Sequence, residues 1–256
     1  MARHRARKRF GQHFLTDPGV IDAIVRAISP GDDDVIVEIG PGQGAITEPL
    51  ARSAGHLHLV ELDRDLVVRL RSQYADRANV TIHEADALQF DFGAIGDRLR
   101  IVGNLPYNIS TPLLFHVLQW SDRIRDMHFM LQQEVVARMA ASPGGKAWGK
   151  LSVMCQYHCS VTPLFNVPPE AFRPVPAVQS TFVRLLPHAR PPVRITDRAR
   201  FERLVTRAFS MRRKTLRNSL RGMLDATDIS AAGIDPGLRP EQLGLADFAA
   251  LAERLG

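Results

Sequence analysis

Between residues 35 and 132, short apolar runs alternate with segments whose apolar residues recur every three or four positions, and few folds satisfy such a pattern. VIVEIG (35–40), LHLVEL (57–62), VTIH (80–83), RIVGN (100–104) and MHFML (127–131) read as strands, and AITEPLARSA and RDLVVRLRSQYA between them as helices. Strands separated by helical crossovers imply a doubly wound, mostly parallel sheet with helices on both faces, because tight turns cannot join parallel neighbours. Such α/β sheets bind ligands beyond the carboxyl ends of their strands. The unusual short motifs of this chain fall there.

After residue 132 the pattern changes. EVVARMAA and LSVMCQYHC read as helices, VTPLFNV as a strand, and TFVRLLP as a strand returning to the sheet edge. The segment VPPEAFRPVPAVQS, with Pro168, Pro169, Pro174 and Pro176, is expected to be a stiff, non-helical loop. Composition breaks again at HARPPVR, which places a boundary between an α/β domain over 1–189 and a small all-α domain over 190–256. In the latter, Phe201, Leu204, Val205, Ala208 and Phe209 form a stripe at helical period, followed by Leu216, Leu220, Met223 and Leu224. Cys155 and Cys159 are four apart, on one face if helical, and with only His158 nearby they read as core thiols, so no metal is expected. No apolar run approaches membrane-spanning length, and the basic start RHRARKRF is not followed by an apolar signal-peptide segment. A cytoplasmic protein is expected.

The net charge of +6 is unevenly placed. Residues 1–13, a basic arm, carry five Arg or Lys and no acid, and residues 190–256 carry 13 basic and 8 acidic residues, whereas the middle is net acidic. From Arg203 to Arg221 there are seven basic residues and no acid, centred on Arg212, Arg213 and Lys214. This suits a polyanion held through its phosphates by the basic ends, or else an ordinary solvated helix surface.

The first strand runs into EIGPGQGAIT, where Gly40, Gly42 and Gly44 let a ligand approach the backbone just before a helix. Gly40, Gly42 and Ala45 also satisfy the looser dinucleotide pattern, so a nicotinamide or flavin enzyme stays open at this point. Glu38 and the spacing of the third Gly resemble the E/D-x-G-x-G-x-G of methyltransferases that use S-adenosylmethionine. Glu61 ends the second strand, where a carboxylate can accept from both hydroxyls of a ribose. Asp86 follows the third, placed to accept from an adenine amino group. Three carboxylates at three successive strand ends describe an adenosine pocket, which both cofactor classes share.

The fourth strand delivers VGNLPYNIS. An adenine amine is a poor nucleophile because its lone pair is delocalised into the ring. The side-chain oxygen of Asn104 and the backbone carbonyl of Leu105 or Pro106 can hold its two hydrogens so that the lone pair faces an incoming methyl. Pro106 stiffens the turn and Tyr107 can stack on the base. A methyl on a sulfonium is already activated, so orientation and electrostatics suffice without a strong base.

Taken in order, GQHFL, EIGPGQGAIT, ELD, EADAL, VGNLPYNIST, FMLQQEVVARM, LSVMCQYHC, AFRPVPAVQS and RRKTLRNSL resemble the KsgA-type small-subunit rRNA adenine dimethyltransferases over nearly the whole chain. The resemblance implies a Rossmann-like class I methyltransferase domain with a helical RNA-binding domain, acting as a monomer. It implies S-adenosylmethionine contacts from His13, Leu15, Gly40, Glu61, Asp86 and Asn104, and a target base between Tyr107 and Phe172. The implied reaction is dimethylation of two adjacent adenosines in the 3′-terminal hairpin loop of 16S rRNA, within the immature 30S subunit, with Arg212, Arg213 and Lys214 on RNA. An assembly factor whose binding matters more than methylation is the second reading. The sequence departs from the family in two places: His13 stands where Asn is common, and Ala177–Ser180 reads AVQS where Lys-Val-Asp-Ser is common.

Overall fold

The computed structural model describes residues 12–211 and 213–255. Its strands are β1 (Phe14–Leu15), β2 (Val35–Ile39), β3 (His56–Glu61), β4 (Val80–Glu84), β5 (Leu99–Asn104), β6 (Ile124–Gln132), β7 (Cys159–Val167), β8 (Phe172–Arg173) and β9 (Ser180–Pro187). The helices are α1 (Pro18–Ile28), α2 (Thr47–Ser53), α3 (Arg64–Gln73), α4 (Ser110–Leu118), α5 (Gln133–Met139), α6 (Lys150–His158), α7 (Arg198–Phe209), α8 (Leu216–Ser219), α9 (Ala226–Ala231) and α10 (Leu245–Ala252). The chain forms two compact units, one of residues up to Val136 with Thr162–Pro187, the other of Ala137–Val161 with the residues from His188 on.

The first unit is built on a seven-stranded sheet in the order β4-β3-β2-β5-β6-β9-β7. β4, β3, β2, β5 and β6 run parallel, and β9 returns antiparallel to β6. The chain winds outward from β2 through β3 to β4 and then crosses to place β5 on the other side of β2, so the topological switch point lies between β2 and β5. There β5 approaches β2 unusually closely: a Cβ on Gly103 would stand 2.7 Å from the Ile39 carbonyl oxygen. Apolar side chains such as Ile36, Leu57, Leu59, Val102 and Met130 pack with Ile24 and Ile28 of α1 and Leu50 of α2 into one core. α1 starts where Asp17 accepts from the Val20 N–H at 3.0 Å and Pro18 takes the first helical position.

TFVRLLP was expected at the sheet edge, but β9 lies inside it and β7 forms the edge. Thr181, Phe182, Val183 and Leu185 are buried along β9, whereas β7 is largely exposed and carries Pro163, which an edge strand tolerates.

At the amino ends of the strands, Arg100 is buried and held on several sides: it donates to Asp34 at 2.6 Å, to Asp126 at 3.0 Å, and to the carbonyls of Ile28 and Ser29 that close α1. Arg125 donates to the other Asp34 oxygen at 2.7 Å.

The second unit centres on α7, whose buried Phe201, Leu204, Val205 and Ala208 face α6, α8 and α10. Rings of Tyr157 and Phe201 meet at 5.1 Å and those of Phe209 and Phe248 at 5.6 Å, and Trp148 Nε1 donates to the Leu243 carbonyl at 2.9 Å. Residues 137–161 therefore group with the helices, where the expected division at 189 assigned them to the α/β domain, because α6 packs on α7. Cys155 sits in α6 while Cys159 opens β7, so the two do not share a helix face; both are buried, and burial pushes both thiols up, Cys155 to about 12.

Candidate active site

A cavity of about 270 Å³ opens at the carboxyl ends of β2, β3, β4 and β5. Its wall contains His13, Leu15, Gly40, Glu61, Asp86, Asn104, Leu105, Pro106 and Tyr107, which the chain separates by up to 94 positions. All of them belong to the first unit.

Gly40 adopts φ +64°, a conformation that favours glycine, and a Cβ built there would meet nothing within 4 Å because it points into open space. The loop after β2 thus presents bare backbone to whatever occupies the cavity. Glu38, next to it, is 1% exposed and accepts from the Thr47 hydroxyl at 2.7 Å. Burial pushes its carboxyl up to about 8, against the lowering effect of Thr47 and with a smaller push from Glu61.

Glu61 is held by the turn it ends: Oε1 accepts from the N–H groups of Leu62 and Asp63, both at 2.9 Å, and Oε2 from Gly42 at 3.3 Å. Burial raises its pKa, while those N–H groups oppose the rise. Oε1 is committed to the backbone, which leaves lone-pair capacity on Oε2 for a hydroxyl. Asp86 follows β4, and its Oδ1 accepts from Leu88 N–H at 2.9 Å in a local turn. Oδ2 carries none of that bond and can accept from an amino group. These acceptors, with Leu62, Ala87 and Leu88 between them, form a polar-rimmed apolar slot.

Across the cavity, Asn104 ends β5 with its Nδ2 donating to the His13 carbonyl at 2.9 Å. That bond orients the amide and leaves Oδ1 as the free acceptor. Pro106 O accepts from Ile109 N–H at 3.2 Å as the chain turns into α4, so of the two carbonyls considered from sequence, Leu105 O is the one not used by this turn. The Tyr107 ring is half-buried, its hydroxyl bonded to Ser180 Oγ at 2.7 Å, and burial holds its pKa up. The His13 ring lies stacked beside it, centroids 5.6 Å apart at 26°, and His13 Nδ1 donates to the Pro174 carbonyl at 2.7 Å.

Phe172 is not on this wall. It was expected opposite Tyr107, but it is 1% exposed and belongs to the core cluster with Leu15 and Phe182. In the two-stranded ribbon β1–β8, Phe172 pairs with Leu15, and its ring packs in the core with Ala171, Val167 and Phe182 in the same cluster. Sequence reasoning missed Gln12, Leu62 and Asp63. Leu62 carried a signal, a large apolar residue directly after a strand-end carboxylate, and it is 49% exposed at the cavity. Gln12 Nε2 reaches Asp63 at 3.2 Å across 51 residues, which no local pattern records.

In the second unit, Arg213 and Lys214 are exposed beside Arg217 and Arg221. Arg212 and the basic arm through residue 11 lie outside the described residues. Among those described, no helix is long and apolar enough to cross a membrane, and no group of three or more His, Cys, Asp or Glu side chains is arranged to hold a metal ion.

Bare glycine backbone, two carboxylate oxygens with accepting capacity left and an apolar slot fit the adenosine of S-adenosylmethionine, and comparison with known proteins agrees. The model of the ribosomal RNA adenine dimethylase family matches residues 3–255. The chain is 58% identical over 255 residues to a ribosomal RNA small subunit methyltransferase A of Pseudomonas putida, covering 98% of this chain and 96% of that one. A relative of the same name from Aromatoleum aromaticum is 56% identical, with coverage of 98% and 94%. Among solved structures, a dimethyladenosine transferase from Plasmodium falciparum superposes with a TM-score of 0.80 at 26% identity, covering 93% of this chain and 96% of that chain. The 23S rRNA methyltransferase ErmE superposes at 0.72 and 25%, covering 94% and 99%. The chain belongs to the ribosomal RNA adenine dimethylase family, S-adenosylmethionine-dependent enzymes with a Rossmann-like fold.

Proposed function

We propose that this protein dimethylates the exocyclic amines of two adjacent adenosines in the 3′-terminal hairpin loop of 16S rRNA, acting in the cytoplasm as a monomer on the immature 30S subunit. The single observation that carries the chemistry is the anchored Asn104, whose Nδ2 is spent on the His13 carbonyl and whose Oδ1 is left to accept.

When bound, S-adenosylmethionine supplies a methyl group activated by its sulfonium. Glu61 would hold a ribose hydroxyl through Oε2 and Asp86 the adenine amine through Oδ2, with the bare backbone at Gly40 leaving room for the ligand; His13 and Leu15 close the side formed by the N-terminal segment. On the acceptor side, Asn104 Oδ1 and Leu105 O each take one hydrogen of the target amine, which directs its lone pair toward the methyl. Both acceptors are neutral, so they orient the amine without removing its proton beforehand. Tyr107 stacks on the base, and Pro106 keeps the turn from relaxing. A stacked, paired adenine cannot reach this point, so the substrate enters unstacked.

Arg213 and Lys214, with Arg212, supply phosphate contacts that position the RNA without reading its sequence. The same surface supports the second role, a late factor in small-subunit biogenesis whose binding survives loss of methyl transfer.

Immature 30S particles incubated with the protein and methyl-labelled S-adenosylmethionine should acquire label in two adjacent adenosines of the 3′-terminal hairpin. Label confined to large-subunit RNA, or none at all, would overturn the proposal.

A further inference from the structure

The loop between β8 and β9 is fastened to the rim of the active-site cavity at both ends. At its start, the Pro174 carbonyl accepts from His13 Nδ1 at 2.7 Å. At its end, the Gln179 carbonyl accepts from the Gln133 N–H at 3.0 Å, and Ser180 Oγ pairs with the Tyr107 hydroxyl at 2.7 Å. His13 and Tyr107 are cavity-wall residues, so the loop is an extension of that wall.

What the loop presents outward is unusual for a surface beside a charged substrate. Val175 is 52% and Val178 43% exposed, and from Pro174 to Val178 no side chain carries a charge or a hydrogen-bonding group. Its side chains offer nothing to grip phosphate. It can lie against the flat apolar face of a nucleobase, and two prolines hold it in shape, so little freedom is lost on contact. Extruding a base exposes the faces of its former neighbours, and proteins that unstack nucleic acid insert apolar side chains at that gap.

We infer that Val175 and Val178 form an apolar wedge that stacks against the bases flanking the target adenosine and takes the place of the extruded adenine. This rests on the proposed RNA methylation; Ala177, which stands where the family commonly carries Lys, lies between Val175 and Val178 in sequence and adds no charge to their surface.

The test compares the parent with a double variant, Val175→Ser with Val178→Ser, and with Val175→Ile with Val178→Ile. Three quantities are read: methyl transfer to immature small-subunit particles, chemical reactivity of the bases flanking the two adenosines in the bound particle, and calorimetric affinity for S-adenosylmethionine. The serine pair should lower kcat/KM for the particle by about tenfold or more, the scale for losing the burial of apolar side chains, and should erase the change in flanking-base reactivity. Its cofactor affinity should stay within about twofold, as only base contacts are lost, and the isoleucine pair should behave like the parent. Serine variants that methylate and perturb flanking bases like the parent would overturn the wedge, as would an equal loss of cofactor affinity. Loss of methyl transfer with the flanking bases still perturbed as by the parent would assign the valines to a partner other than those bases and overturn it too. A parent protein that labels no small-subunit RNA would instead remove the underlying functional proposal.

Discussion

Asn104 and Glu61 face the same cavity but answer to different partners, and single substitutions should separate them. Asn104→Ala removes the acceptor for the target amine while the loop around Gly40 and the carboxylate of Glu61 stay in place. Methyl transfer should fall by roughly 10²-fold or more, the scale for losing a preorganised polar contact in a transition state, with S-adenosylmethionine affinity nearly unchanged. Glu61→Gln should do the reverse, weakening cofactor binding about tenfold through a lost charge-assisted hydrogen bond. Equilibrium binding and single-turnover transfer on the same preparations distinguish the two, and parallel losses in both variants would show that the site does not divide in this way.

At the scale of elements, the sheet carries two buried or half-buried titrating groups with opposite effects on stability. On β3 and β4, His58 Nδ1 and His83 Nε2 sit 3.0 Å apart with their rings stacked, and the His56 ring lies tilted against His58 at 4.6 Å. Burial first, then repulsion from His56 and His83, lowers His58 from 6.5 to about 4. The fold therefore keeps His58 neutral, and its contribution to stability is complete above pH 6.5 and lost as pH falls toward 4. Glu38, at the end of β2, is raised from 4.5 to about 8, so its contribution is complete below pH 4.5 and is lost as pH rises through 8. The two partly offset each other between pH 4.5 and 6.5. Urea denaturation of His58→Gln against the parent should show the parent losing ground as pH drops from 6.5 to 4, and Glu38→Gln should show it losing ground as pH rises from 4.5 to 8. Flat differences in both comparisons would mean that neither group titrates differently in the folded protein.

At the scale of the molecule, charge is partitioned between the catalytic unit and the helical unit, with Arg213 and Lys214 exposed on the latter. Replacing both by Ala should weaken particle binding and reduce the slope of log affinity against log salt by about two, because each phosphate contact releases roughly one counterion. Cofactor affinity should not change, since the cavity lies within the first unit. An unaltered salt slope would show that these cations do not touch phosphate.

The strand and helix order from 35 to 132, the glycine loop, the strand-end carboxylates and the NLPY turn were all legible in the chain, because each depends on local periodicity, turn chemistry or short spacing. Their convergence on one cavity was legible too, since a doubly wound sheet aligns the carboxyl ends of its strands. Decisions made by contacts between distant segments were not. Phe172, paired with Leu15 in the β1–β8 ribbon, packed into the core; β9 entered the sheet interior and left β7 at the edge; α6 joined α7 rather than the sheet. The His13 carbonyl that orients Asn104 lies 91 positions away from it in sequence. Periodicity specifies which face of an element is apolar, but only tertiary packing decides which partner covers that face, because many apolar surfaces are equally able to exclude water and only one arrangement also satisfies the hydrogen bonds.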